Sequence, residues 1–166
     1  MSDRLHQLET RIAELQEQLA GLEEALVLSP MEEQTRLKQR IKKLKAEMRP
    51  FEEEYWQLLA QQANELTIPE AEAKVAIAEI VTEVTQLEAY PPANYPAALL
   101  QVLREIRDSL NKPGEPGTPA SAKLKSAISL MPPFVNLSYE GEIDLEKFFE
   151  THFPTFRKLI KAAAKK

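Results

Sequence analysis

Residues 5–26, LHQLETRIAELQEQLAGLEEAL, decide how the chain is read. Leu5, Leu8, Ile12, Leu15, Leu19, Leu22 and Leu26 recur at alternating steps of three and four, which lines one helix face with the a/d seam of a coiled coil for three heptads. Ser29-Pro30-Met31-Glu32 follows at once. A capping serine, a proline at the first helical position and a glutamate three residues after the cap together start a second helix. Its apolar seam runs through Leu37, Ile41, Leu44, Met48, Phe51, Tyr55 and Leu58 and keeps its register across Pro50. The expected kink or restart at Pro50 therefore does not end the element.

Charge gives the first helix a partner. Residues 3–28 carry six acids and two bases, whereas residues 30–49 carry seven bases and three acids. Opposite stripes favour an antiparallel coiled-coil hairpin closed about Ser29, with Arg11 opposite Glu47 and Glu23 opposite Lys38. Exposed pairs of this kind are worth only about 0.2 to 1 kcal/mol each, so the leucine seam supplies the stability and the charges select the register. At 1.5 Å per residue the first helix is roughly 39 Å long, an arm rather than part of a bundle.

Of twelve prolines, eight fall between Pro91 and Pro133, so the rear of the chain is more broken than the front. Thr67-Ile68-Pro69-Glu70 starts a third helix, about 69–88, with Val75, Ile77, Ile80, Val81, Val84 and Leu87 on its apolar face. Tyr90-Pro91-Pro92 stops it. Asn94-Tyr95-Pro96 starts a fourth helix carrying Leu99, Leu100, Val102, Leu103, Ile106 and Leu110. Residues 112–119, rich in proline and glycine, read as an exposed linker. Leu124, Ile128 and Leu130, and then Val135, Leu137 and Tyr139, fall on single parities on either side of Pro132-Pro133, which reads as a short β-hairpin. Asp144 caps a last helical stretch with Phe148, Phe149, Phe153, Phe156, Leu159 and Ile160, broken or restarted at Pro154. The fold expected is mainly α: a coiled-coil hairpin over 1–66, then a small helical domain with a β-hairpin over 67–166.

The chain has 166 residues, net charge -5, 43% apolar and 28% charged residues, and no cysteine. This suits one or two small globular units in a reducing compartment and removes disulfides and thiolate chemistry. Met1-Ser2-Asp3-Arg4-Leu5 carries no apolar leader, so the expected location is the cytoplasm. His6 and His152 have no second histidine at helical spacing. Glu52-Glu53-Glu54 reads as a solvated face, because consecutive helical residues point apart. Four glycines form no phosphate-binding loop. No catalytic residue, metal ligand or cofactor is therefore assigned, and the chain is read as a non-enzymatic protein.

What remains are surfaces. Leu8, Leu15, Leu22 and Ile41 in the seams, Tyr55 and Trp56 as a packing anchor or partner hot spot, and Phe153 and Phe156 near the C-terminus are the interface candidates. A protein partner or a second copy of the chain is the occupant expected. The basic, aromatic C-terminal helix, with Arg157, Lys158, Lys161, Lys165 and Lys166, makes an anionic membrane surface the alternative. Arg36, Lys38, Arg40, Lys42, Lys43 and Lys45 could follow a phosphate backbone. The acidic neighbouring helix, the lack of interleaved aromatics and the acidic whole disfavour nucleic acid.

The tail resembles a known module. Lys123-Leu124-Lys125, Ser129-Leu130-Met131-Pro132-Pro133, Leu137-Ser138-Tyr139-Glu140, Ile143-Asp144-Leu145-Glu146 and Phe148-Phe149 through Phe153-Pro154-Thr155-Phe156 look like an accessory module of cyanobacterial pentapeptide-repeat and NACHT-type multidomain proteins. About forty residues carry the likeness. It implies a cyanobacterial source and a regulatory or adaptor role. The five-residue repeat and the phosphate-binding loop of those hosts are both missing, so neither of their activities is implied.

Overall fold

The computed structural model describes residues 3–111 and 117–165, and every regular element among them is helical. Eight α-helices follow in order: α1 (Asp3–Leu28), α2 (Met31–Gln61), α3 (Glu70–Ala89), α4 (Ala97–Asn111), α5 (Ala120–Ile128), α6 (Met131–Glu140), α7 (Leu145–His152) and α8 (Pro154–Ala164), with a 3-10 turn at Ala63–Glu65 between α2 and α3. The chain forms two compact units that divide within α2, between Tyr55 and Trp56.

The first unit is a helical hairpin. Two residues separate α1 from α2, so the chain must reverse, and the contacts run antiparallel. Arg4 holds Glu54 through two hydrogen bonds of 2.6 and 2.7 Å, the Tyr55 hydroxyl donates to Glu9 at 3.1 Å, and Arg11 lies over the Phe51 ring. Leu15 and Leu19 of α1 pack with Leu44 and Met48 of α2, and Leu22, Ile41 and Phe51 flank them. The three-and-four spacing causes this directly, since it turns one stripe of each helix inward. Ser29 acts differently from the expected helix start: its hydroxyl donates back to the Ala25 carbonyl and so closes the end of α1. Pro50 sits inside α2, which continues through it to Gln61.

In the second unit α3 is central and packs against α4, α5, α7 and α8. Its buried stripe is Ala73, Ala76, Ile80, Val84 and Leu87, facing Leu99, Leu103, Ile106 and Leu110 of α4 among others. The alanines let neighbouring backbones approach closely, and Val75, expected in the core, is exposed. A cluster of rings fills the other side: Trp56 lies 5.4 Å from Phe149 and stacks at 6.2 Å on Phe156, and Phe134, Phe148 and Phe153 complete it.

The expected β-hairpin is overturned, because residues 120–140 form α5 and α6. A spacing of four, as between Leu124 and Ile128, belongs to a helix as well as to a strand. The side chains that enter the core, Leu124, Ala127, Ile128, Met131, Phe134, Val135 and Ser138, recur at helical steps. Pro132 and Pro133 lie in the first turn of α6, where a missing N–H breaks no hydrogen bond, so they begin a helix. A Cβ added at Gly141, which ends α6, would lie 3.1 Å from the Pro96 ring. Of the expected linker, residues 112–116 lie outside the described residues, and Gly117 leads into α5 with φ at +92°.

Candidate interaction surface

The predicted interface residues fall into two internal groups. Leu8, Leu15 and Tyr55 are buried in the first unit, and Leu22 and Ile41 are half-buried beside its core. Trp56, Phe153 and Phe156 are buried in the ring cluster of the second unit. The seams are thus closed within the single chain.

Three α3 glutamates hold the second unit together; the sequence marks Glu70 only as part of a helix start, and Glu79 and Glu83 not at all. Glu70 accepts hydrogen bonds from the backbone N–H groups of Ala120 and Ser121 at 2.7 and 3.0 Å, fixing the start of α5 across fifty residues. These two donors hold its carboxyl below the usual carboxylate range. Glu79 accepts from the Thr155 amide and hydroxyl at the start of α8, both at 3.0 Å. Glu83 lies 3.1 Å from Nδ1 of His152, whose ring also rests against Phe148. His152 is therefore engaged in packing α7 against α3. A groove of about 500 Å³ among α3, α4 and α5 is lined by Glu70, Lys74, Val81, Leu110 and Lys123. Its one carboxylate in this set, Glu70, is committed to α5. Among the described residues no three metal-ligating side chains gather.

The C-terminal helix uses its apolar face at home. Phe156, Leu159, Ile160, Ala163 and Ala164 are buried, while Lys158, Lys161 and Lys165 point to solvent. Arg157 is itself buried, bonded to Glu146 and seated 5.7 Å over the Trp56 ring. Binding a membrane through this face would require α8 to leave its unit. No helix among the described residues is long and apolar enough to cross a membrane.

The hairpin carries two exposed features. At its tip, Val27, Leu28 and Met31 are 82%, 78% and 84% exposed. Val27 and Leu28 follow Leu26 without a gap and so fall off the seam, a signal that is visible in the sequence. Along α2, Arg36, Lys38, Arg40, Lys42 and Lys43 are exposed and Lys45 is half-exposed. The expected pairing of these bases with α1 does not form. Arg36 binds Glu33 of its own helix at 2.8 Å, and Arg11, expected opposite Glu47, binds Glu14 at 3.3 Å. Glu53 and Glu54 bind Arg49 and Arg4, and Glu52, read as solvated, is buried. Among the described residues no ion pair reaches Lys38, Arg40, Lys42, Lys43 or Lys45.

Compared with protein-family models, curated proteins and solved structures, the chain matches none of them.

Proposed function

We propose that this chain is a non-enzymatic interaction protein, an adaptor or assembly factor whose hairpin tip docks on a protein partner. The observation that carries this reading is the exposure of three large apolar side chains near the turn, Val27, Leu28 and Met31, while Leu8, Leu15 and Leu19 of the seam are buried. Exposed apolar clusters of this kind mark interaction sites when they exceed scattered single residues. Glu24, Glu32 and Glu33 lie beside the tip in sequence and are exposed. A complementary partner therefore offers an apolar pocket with a basic rim. Self-association through the seam would first require the hairpin to open, since Leu8 and Leu15 are already covered. The resemblance of the 120–160 region to accessory modules agrees with a non-catalytic role.

A photo-crosslinking residue at position 28 tests the reading in extracts of the native host. One discrete protein adduct is expected, and it is lost when Val27 and Met31 are replaced by serine. An unchanged adduct in that variant, or no adduct beyond background, overturns the proposal.

A further inference from the structure

We infer that the exposed face of α2 between Arg36 and Lys45 is a duplex nucleic-acid surface that seats in the major groove and grips the phosphates on both sides. This inference is independent of the tip. It starts from the five bases that the hairpin leaves without an ion pair.

At 3.6 residues per turn, Leu37, Ile41, Leu44 and Met48 share a sector of about 60°, and it faces α1. Arg36, Arg40 and Lys43 form one row about 100° to one side of that sector, and Lys38, Lys42 and Lys45 form a second row about 100° to the other. Thr35, Gln39 and Ala46, all exposed, form the ridge directly opposite the seam. Between Thr35 and Ala46 the solvent face of α2 is thus a neutral ridge of small or uncharged residues between two basic rails, with exposed Glu32 before it and Glu47 after it, and the acidic α1 lies on the far side.

A single helix about 10–12 Å wide fits a major groove about 12 Å wide. With the ridge turned to the groove floor, each rail reaches one phosphate strand. The two rails explain why a duplex is favoured over a single strand, which would meet only one of them. The acidity of α1, which in the sequence spoke against nucleic acid, weakens because among the described residues none of its carboxylates is paired with these five bases. The absence of aromatics removes base stacking, so the contact is electrostatic and largely indifferent to sequence. A membrane surface fits less well. Between Glu32 and Arg49 the only exposed apolar side chain is that of Ala46, and interfacial helices need an apolar face to bury.

The test is a titration of the intact chain against a labelled mixed-sequence duplex of about twenty base pairs, with the salt raised from about 20 to 200 mM. Five phosphate contacts give a log–log salt slope of about -4 to -5. Arg40→Glu, Lys42→Glu and Lys43→Glu combined should weaken binding at least about tenfold and flatten the slope to about -2 or less, with helicity by circular dichroism unchanged. Lys158→Glu with Lys161→Glu, on the exposed side of α8, should leave binding as it was. Four results overturn the inference: no duplex binding at the lowest salt, equal binding by the triple variant, single strands bound as tightly as the duplex, or phosphatidylserine vesicles bound in place of the duplex.

Discussion

Replacing Leu15 with alanine isolates what holds the hairpin closed. Leu15 is 1% exposed and shares its layer with Leu19, Leu44 and Met48. Burying a leucine side chain contributes about 1.5–3 kcal/mol, and removing one from a packed core costs about 2–5 kcal/mol once the cavity is included. This core lies between two helices, which can close part of the gap, so a loss of about 3 kcal/mol is expected. Leu28→Ala deletes the same atoms from a side chain that is 78% exposed and should change stability by no more than about 0.5 kcal/mol. Native-state hydrogen exchange followed by mass spectrometry reads the two units separately. In peptides from α1 and the first half of α2, Leu15→Ala should speed exchange by roughly a hundredfold, since each 1.4 kcal/mol is about a factor of ten. Leu28→Ala should leave the same peptides near wild type. If the two variants exchange alike, or if Leu15→Ala accelerates α1 by less than about tenfold, then burial of the leucine seam is not what closes the hairpin.

Two further predictions concern the second unit. The Glu70 carboxyl, held low by the amides of Ser121 and Ala120, stabilises the start of α5 above the ordinary carboxylate range, and this contribution is lost as pH falls through the lower folded value. Carboxyl-carbon NMR should show Glu70 titrating below an unperturbed glutamate, with the Ala120 and Ser121 amides moving along the same curve; a midpoint at or above the ordinary value contradicts the tether. Arg157 and Glu146 form an ion pair with side chains only 7% and 14% exposed. Arg157→Met leaves a carboxylate shielded from water and should cost about 3 kcal/mol, while adding Glu146→Leu should recover part of that loss. A thermal-unfolding cycle in which the double variant is less stable than Arg157→Met would refute this account.

Much of the candidate surface could be read before the fold was known, but not its state. The run from Arg36 to Lys45 is plain in the sequence. Net charge on two helices suggested that it would be neutralised, yet pairing depends on which flank each residue occupies. Arg36 and Arg11 found carboxylates one turn away in their own helices, and the remaining bases of the run flank the seam without reaching a carboxylate of α1. Val27, Leu28 and Met31 were legible as apolar residues off the seam. That they stay exposed follows from the two-residue turn, which places them beyond the last packed layer.

By itself the sequence determined the hairpin, because a seam at steps of three and four can bury only as a helix stripe and a two-residue Ser29-Pro30 turn can only send the second helix back along the first. It also marked the helix starts at Pro69, Pro96 and Asp144, where local backbone chemistry suffices. Tertiary structure decided the segment 120–140. Its short apolar runs fit strand and helix periods equally, and the core accepted Phe134, Val135 and Ser138 rather than Leu137 and Tyr139. It also decided the tethers of Glu70 and Glu79, because a carboxylate and the amides it holds fifty or more residues away meet only after the helices have packed.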